Sequence, residues 1–316
     1  MAKPIAKLLT MLTPKRRWTQ FSLATMFVLV AVAAMPCTWL AWKMEHKRKE
    51  RAAVAEIKKL GGIVFYDWQY TTANTPYGAP WLRKLLGDDF FAEIKQVIEK
   101  GLQVTDTDLT RLQTLTAIEK LHLNDTAVTD DGLSNLEVLR GLECLFLDGT
   151  NVTDAGLTQF PIRFPAIRSL GMMNTRVTDA GLAHLEGYAS FEEFYLSGTD
   201  VTDAGMAHLD RFTELQGLWL SDTKLTDAGV SHFSRFTALR FLDLMNTNVT
   251  DAGLAHLEDL RKLEVLHLEN TKATDTGLLY LDGLTVLRFL GLNGTNVTDA
   301  GVAELQKALP KCKISR

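Results

Sequence analysis

Apolar residues return along most of the chain in one repeated phrase, LxxLxLxxTxVTDxGLxxLxxL, which fits residues 118–308. Its Thr-Asp pair recurs at intervals of 24 or 25 residues, at Asp106, Asp130, Asp154, Asp179, Asp203, Asp227, Asp251, Asp275 and Asp299. The LxL part predicts a short strand with two inward side chains, and the GLxxL part predicts one apolar face of a helix. Because a single copy cannot bury its own apolar face, the phrase predicts a solenoid of stacked copies.

The polar positions of the phrase are as regular as the apolar ones. One threonine per copy is predicted to be buried and to bond its own turn and the neighbouring copy, which would form a ladder along the stack. These threonines are Thr126, Thr150, Thr175, Thr199, Thr223, Thr247, Thr271 and Thr295. The Thr-Asp pair predicts a helix N-cap and a carboxylate at the positive end of the helix dipole. A glycine two places after the aspartate is expected to let adjacent helices approach closely.

The phrase resembles leucine-rich repeats of the kind with helices on the outside, and it is similar to ribonuclease-inhibitor-like and F-box-associated repeats that carry ITDxGLxxL. This resemblance implies an α/β solenoid with parallel strands on a concave face, helices on a convex face, and partners bound by the concave face. The threonine ladder stands where that family has Asn or Cys. The N-terminal RRWTQFSL segment, the strand sequence GGIVFYD and the TDxGL repeats together resemble membrane-anchored leucine-rich-repeat proteins of planctomycete bacteria.

Residues 19–42 contain no charged side chain and lie between basic flanks. As a helix, residues 21–42 would measure about 33 Å, enough for a hydrocarbon core of about 30 Å. The segment predicts one transmembrane signal anchor. A cleaved signal peptide ending near Ala31-Val32-Ala33 is the alternative. Basic residues on both sides leave the orientation undecided by the positive-inside rule. We expect a cytoplasmic N-terminus and a repeat domain outside the cytoplasm, in the periplasm or at the cell surface.

The remaining segments complete the predicted domain organisation. Residues 1–18 form a basic N-terminal segment, 19–42 the anchor, 43–93 a juxtamembrane helix and capping module, and 94–316 the repeat domain with nine repeats and a closing strand. Within the capping module, the pattern predicts a helix over residues 43–60, a strand over 63–69 and an amphipathic stretch from Trp81. Residues 94–102 resemble a degenerate first repeat, with Glu99 where the phrase has leucine. Residues 309–314 predict the closing edge strand.

Charge and composition exclude several classes of protein. Residues 1–59 carry 12 Lys/Arg and 3 Asp/Glu, whereas residues 60–316 carry 22 and 35. An acidic repeat region repels nucleic acid, which needs a basic footprint. The three cysteines are far apart in sequence and predict neither a disulfide framework nor a thiolate metal site. The chain has no HExxH, GxSxG, Walker or GxGxxG motif. We therefore expect that the protein is not an enzyme and that it binds no cofactor and no small-molecule substrate.

Two periodic rows of polar residues could suggest metal binding. Four consecutive copies place a histidine at one position, His184, His208, His232 and His256. Neighbouring helices lie about 8–10 Å apart, too far for two imidazoles that must both approach one zinc to about 2.1 Å. The aspartate row provides one carboxylate per copy, whereas calcium needs six or more oxygens. Both rows are therefore interpreted as structural.

The residues around each LxL strand are predicted to lie on the concave face. There the phrase is irregular, and aromatic side chains should cluster because neighbouring strands are about 4.8 Å apart. Tyr195, Trp219, Phe241 and Met245 are expected near its middle. Exposed aromatic patches are typical of binding surfaces. The full set of predicted partner-binding residues is Phe146, Tyr195, Trp219, Phe241, Asp243, Met245, His267 and Phe289.

The sequence therefore predicts a membrane-anchored module that binds an unidentified protein partner through its concave face. One alternative is a self-assembling structural component of the cell envelope. Another is an F-box-like adaptor, or an enzyme hidden in residues 61–93, where Asp67, Asp88 and Asp89 are the candidate acids. We expect the Trp219→Ala substitution to weaken partner binding and to leave thermal unfolding almost unchanged.

Overall fold

The computed structural model describes residues 23–72, 74–188 and 190–316, with side chains from residue 34 onward except Pro36. The predicted basic segment 1–18 and the start of the predicted anchor therefore lie outside the described residues. The chain divides into two compact units, residues 1–49 and 50–316. The second unit contains both the predicted capping module, from residue 50 on, and the repeats.

The first described element is helix α1, Leu23–Lys59, which is continuous over 37 residues. The helix predicted for residues 43–60 is therefore the second part of a longer helix. Gly61, with φ of 84°, and Gly62 follow its last turn. Among the residues that the structure describes, no helix combines the length and the apolar character needed to cross a membrane.

Residues 63–98 include one antiparallel strand pair, which precedes the repeats in the sequence. Strand β1 (Ile63–Tyr66) pairs antiparallel with β2 (Ile94–Ile98). The strand is shorter than the predicted residues 63–69 because a 3-10 turn, Asp67–Tyr70, follows it directly. Helix α2 (Pro80–Leu86) ends at Gly87, whose φ of 100° is not helical. The amphipathic stretch is therefore helical only in its first part.

From β2 onward, every strand pairs parallel with the next copy, and the strand order follows the sequence through the whole sheet. Adjacent strands pair in register, for example Leu218 opposite Leu242. A closing strand is present as predicted, but it lies at Lys313–Ser315 and so starts four residues later than the predicted residues 309–314. The other strands are β3 Lys120–His122, β4 Cys144–Phe146, β5 Ser169–Gly171, β6 Glu193–Tyr195, β7 Gly217–Trp219, β8 Phe241–Asp243, β9 Val265–His267 and β10 Phe289–Gly291, with the closing strand as β11.

Short helices form the opposite layer. Most span only four or five residues, and several continue as a 3-10 turn, because each copy leaves room for little more than one turn. They are α3 Asp130–Ser134, α4 Asp154–Leu157, α5 Phe160–Arg163, α6 Asp179–Ala183, α7 Asp203–Met206, α8 Asp227–Val230, α9 Asp251–Leu254, α10 Asp275–Leu278 and α11 Asp299–Ala308. Between the two layers, one continuous core runs from Ala53 to Cys312, with the middle residue of each repeat strand at most 2 % exposed.

The buried threonines stabilise the turn of their own copy. Each of the eight hydroxyls donates to the carbonyl three residues earlier, as Thr223 does to Leu220 at 2.7 Å. The single proton of each hydroxyl is therefore donated within its own copy. Within the described residues, none of these eight hydroxyls bonds a neighbouring copy. The prediction of an inter-repeat threonine ladder was therefore wrong in that part.

The aspartates make the inter-repeat ladder instead. Asp203 accepts the backbone N–H of Thr226 in the next copy at 2.7 Å and the hydroxyl of the same threonine at 2.6 Å. The Thr226 hydroxyl in turn accepts from the N–H of Ala228 and so caps helix α8. The same pair of bonds recurs at eight junctions, from Asp106 to Asp275. The threonine is thus the predicted cap, whereas the carboxylate joins two copies.

The glycine two places after each aspartate makes room for this bond. A Cβ on Gly205 would lie 2.3 Å from Oδ1 of Asp179 in the preceding copy. A Cβ on each of the other equivalent glycines would lie 2.1–2.6 Å from Oδ1 of the aspartate in the preceding copy. The predicted close approach is therefore confirmed, and its cause is the carboxylate rather than helix packing alone.

Both ends of the stack depart from this pattern. Within the described residues, the carboxylate of Asp299 bonds no threonine of a further copy and accepts instead from Nη1 of Arg316, whose Nε also donates to the carbonyl of Val297 at 2.6 Å. At the first repeat, Glu99 is only 1 % exposed and accepts from Nη2 of Arg111 at 2.5 Å. The degenerate repeat therefore replaces a core leucine with a buried ion pair.

Candidate protein-binding face

The outward side of the sheet, here called the strand face, is formed by the first and third residues of each strand β3–β10 and by the residue two places later. The middle residue of each strand points into the core, so these flanking residues point away from it. They are mostly half-buried, and Phe241 is the one predicted site residue among the large exposed apolar side chains.

Five rings on the strand face form a continuous aromatic row: His122, Phe146, Tyr195, Trp219 and Phe241. His122 stacks on Phe146 with ring centroids 4.6 Å apart. Phe146 meets Tyr195 edge-on at 5.6 Å. Tyr195 stacks on Trp219 at 4.0 Å, and Trp219 is nearly parallel to Phe241 at 6.4 Å. The expected clustering of the rings is therefore present and extends further than predicted.

Two glycines shape this row. Phe146 and Tyr195 lie two strands apart, and they touch because Gly171 stands between them without a side chain. A Cβ on Gly171 would lie 2.7 Å from the Phe146 ring. Similarly, a Cβ on Gly217 would lie 2.5 Å from the Trp219 ring, which therefore lies back over the strand. Both rings thus occupy space that any larger residue at these two positions would fill.

Neighbouring groups cover most ring faces in the row. Trp219 lies between Tyr195 and Phe241. The guanidinium of Arg240 lies 5.7 Å from the centre of the Phe241 ring. A ligand approaching from solvent therefore meets mainly ring edges, which carry the positive end of the ring quadrupole.

Polar groups support the aromatic row from one side. Glu193 accepts from the hydroxyls of Ser169 at 2.9 Å and Tyr195 at 3.2 Å. Burial, and then the carboxylate of Glu193, raise the pKa of Tyr195 well above its usual range, so the phenol remains a hydrogen-bond donor. Burial together with Lys100 and Lys120 lowers the pKa of His122, which keeps its ring neutral around pH 7.

The other four predicted site residues do not take part in the ring contacts of this row. Asp243 accepts the backbone N–H of Met245 at 3.0 Å, and Met245 lies two places further along the chain than the ring-bearing positions. His267 and Phe289 form a separate ring pair at 5.1 Å. His267 is also 3.1 Å from Oε1 of Glu269. Four of the eight predicted residues thus belong to the aromatic row, Asp243 and Met245 flank it on the strand of Phe241 and the turn that follows, and His267 and Phe289 form a pair towards the C-terminus.

Sequence reasoning left His122, Ser169 and Glu193 out of the site. All three occupy strand-face positions in the repeat register, so the register itself was the available signal. The sequence did not show that Gly171, which has no side chain, lets Phe146 and Tyr195 touch across the strand between them. On the helix side, His208 and His232 contact Glu186 and Asp210 of the preceding copies. No group of metal-binding side chains occurs among the described residues.

Comparison with known proteins places the fold. No protein-family model matches the sequence, and no curated protein matches it. An internalin, inlF, from Listeria monocytogenes superposes with a TM-score of 0.54 at 19% identity, covering 65% of this chain and 56% of the internalin. The chain thus spans little more than half the length of that protein.

A second internalin of the same organism, internalin C2, gives a TM-score of 0.44 at 22% identity, with 72% of this chain and 82% of that one covered. At such identities only the fold can be compared. Internalins are leucine-rich-repeat proteins, and the parallel sheet with its short helices gives this chain a leucine-rich-repeat solenoid fold.

Proposed function

We propose that this chain is a membrane-anchored leucine-rich-repeat protein that binds a protein partner through its strand face. The observation that carries the proposal is the aromatic row, in which half-buried rings are preorganised by Gly171 and Gly217. Large rings that are already ordered contribute contact area at a low entropic cost, which is typical of interface hot spots. The binding role requires no chemical step and no cofactor.

The geometry of the row favours a protein over a sugar or a nucleobase. Sugars and bases bind aromatic side chains by stacking on an open ring face. In this row, Trp219 has a ring on each side, and Phe241 carries Arg240. Ring edges instead suit the aliphatic and aromatic side chains of a protein partner, which pack edge-to-face.

The anchor and its orientation belong to the same proposal. The uncharged residues 19–42 support a membrane span, and α1 continues without a break into the basic residues that follow. We place the repeats outside the cytoplasm, either in the periplasm or at the cell surface. Two finer assignments belong to the proposal. The ribonuclease-inhibitor-like repeat type rests on the TDxGL phrase. The likeness to membrane-anchored leucine-rich-repeat proteins of planctomycete bacteria rests on the N-terminal segment, the strand sequence GGIVFYD and the repeats.

Fractionation tests the anchor. The full chain and a variant with Leu29→Arg and Val32→Arg are expressed in bacteria, and membranes are washed with alkaline carbonate. The full chain should remain in the pellet, and the variant should be released because each central arginine opposes insertion by about 2.5–3.5 kcal/mol. Release of the unaltered chain would contradict the anchor. Protease added to intact spheroplasts should digest the repeats if they lie outside the cytoplasm.

Partner capture tests the strand face with a matched pair of variants. Phe241 on the strand face and Tyr280 on the helix side are both aromatic and both 37% exposed. The full chain carrying Phe241→Ala and the full chain carrying Tyr280→Ala are each used for proximity crosslinking in the source cell. We expect the first variant to lose the crosslinked protein and the second to retain it. Equal loss in both variants would contradict a role of the strand face.

Size measurement separates this proposal from self-assembly. A structural envelope component should form oligomers of the purified full chain in detergent, and their formation should depend on concentration. A binding module should remain a monomer until its partner is added. Oligomers that persist at nanomolar concentration would favour the self-assembling alternative.

A further inference from the structure

Beyond β3, whose first residue is Lys120, the strand face carries a one-sided charge. From β4 to β10, its outward positions and the turn residues directly after them contain five carboxylates and neither Lys nor Arg. The five are Asp148, Glu193, Asp222, Asp243 and Glu269. Resting on the proposed binding role, we propose that the partner is a protein segment whose apolar anchor is flanked by Lys or Arg side chains.

The carboxylates surround the aromatic row on both sides. Asp148 follows Phe146 by two residues, and Glu193 precedes Tyr195 by two. Asp243 is the register partner of Trp219 on the adjacent strand. With strands about 4.8 Å apart, any side chain that packs on the centre of the row lies within reach of a carboxylate.

No lysine or arginine neutralises these carboxylates within the described part of the chain. Their hydrogen-bond donors are uncharged groups: the hydroxyls on Glu193, the amide of Asn246 on Asp222 at 2.7 Å, and the backbone N–H of Met245 on Asp243. The carboxylate of Glu269 lies 3.1 Å from Nδ1 of His267. Within the described residues, the five carboxylates thus have no Lys or Arg partner of their own. The nearest cations act at the two ends of the row, Lys120 on His122 and Arg240, which pairs with Glu264, on Phe241. The negative field over the middle of the row would attract a cationic partner.

The border next to the strand face shows that this imbalance is local. The residues directly before the strands also carry charge, but there acids and bases pair across copies. Arg168 pairs with Glu192, and Glu264 lies between Arg240 at 2.6 Å and Arg288 at 3.5 Å. This border is close to neutral, so the negative charge is concentrated at the aromatic row itself.

This arrangement specifies a chemistry for the partner. An apolar side chain would pack on the ring edges, and a neighbouring Lys or Arg would reach Asp222 or Asp243. Such a charge-assisted bond has to replace only neutral donors, so no existing ion pair needs to break. An acidic protein or a nucleic acid would be repelled by the same field.

The test selects peptides on the full chain in detergent from two displayed libraries. Both libraries fix a central Trp or Leu, and the flanking positions are Lys/Arg/Ser in one and Asp/Glu/Ser in the other. We expect binders only from the basic library. Asp222→Asn with Asp243→Asn should weaken their binding roughly tenfold, and raised salt should weaken it further.

Two controls separate this inference from the proposed function. Asp259→Asn with Asp282→Asn removes the same charge from exposed positions on the helix side and should leave binding unchanged. Binders from the acidic library that are lost on Trp219→Ala would overturn the charge inference and leave the binding role intact. If neither library yields a binder that depends on Trp219, the proposed function fails, and this inference fails with it.

Discussion

The helix side and the strand face of this solenoid follow the same 24-residue frame and use it in opposite ways. On the helix side, the Asp, Thr and Gly positions repeat almost without change, and each aspartate from Asp106 to Asp275 makes the same two bonds to the next copy. On the strand face, equivalent positions hold Tyr195, Trp219 and Asp243 in three consecutive copies.

This difference shows at which positions the fold requires one residue type and at which positions the residue type can vary. An aspartate that accepts from two donors of the next copy cannot be replaced, because no other residue has the same size and charge. An outward strand position needs only a side chain that fits beside its neighbours. Regularity therefore marks architecture, and local irregularity marks the surface that can specify a partner.

The largest effect should come from filling the space beside a carboxylate on the helix side. Gly205→Ala places a methyl group 2.3 Å from Oδ1 of Asp179 and forces the inter-repeat bond apart. We expect the free energy of unfolding to fall by about 3 kcal/mol in urea titrations. Gly141→Ala is the control, because a Cβ there meets nothing within 4 Å. Equal stability of both variants would show that the bond has no role in holding copies together.

A smaller loss is expected from removing one carboxylate. Asp203→Ala leaves the backbone N–H and the hydroxyl of Thr226 without their acceptor, which should cost about 2 kcal/mol. Asp299→Ala, at the end of the row, removes only an exposed contact to Arg316 and should cost much less. Similar losses at both positions would mean that the internal junctions are not special.

On the strand face, Trp219→Ala should change stability less than either internal helix-side substitution. The Trp219 ring stacks on Tyr195 at 4.0 Å, so thermal unfolding should shift by an amount equivalent to about 1 kcal/mol. The prediction from sequence of almost no shift is thereby sharpened to a small one. A loss as large as that of Gly205→Ala would make the row part of the architecture.

The smallest effect concerns Asp148, which is 9% exposed. Burial raises its pKa, although the N–H of Met173 donates to it. The folded state therefore binds this proton more tightly than the unfolded state, so stability falls as pH rises from the unfolded to the folded pKa. Asp148→Asn should remove that decline and make the protein slightly more stable at pH 7. Unfolding at pH 3 and pH 7 checks this, with Asp259→Asn as the exposed control.

Much of the fold could be predicted because the 24-residue spacing of Thr-Asp and the LxL phrase together define a stacked copy. The donor and acceptor roles could not be predicted, since Thr126 and Asp106 both offered oxygen atoms at plausible positions. Only the geometry shows that Thr126 bonds Leu123 and that Asp106 bonds Thr129 of the next copy.

The aromatic row was predictable in register and unpredictable in extent. Tyr195 and Trp219 lie on adjacent strands, so their contact follows from pairing alone. The contact between Phe146 and Tyr195 spans two strands and depends on which way the Phe146 ring turns over Gly171. A rotamer choice of that kind is set by packing and leaves no periodic trace in the sequence.

The Asp-to-Thr junction has a consequence for how such a chain can grow or shrink. Every internal copy brings one carboxylate that faces forward and one threonine that faces back. Duplicating or deleting any 24-residue copy between Asp130 and Thr274 therefore leaves donors and acceptors equal in number, and only Asp299 at the end needs a substitute such as Arg316. The solenoid can therefore gain or lose whole copies by unequal recombination, and every junction between neighbouring copies keeps its aspartate and its threonine.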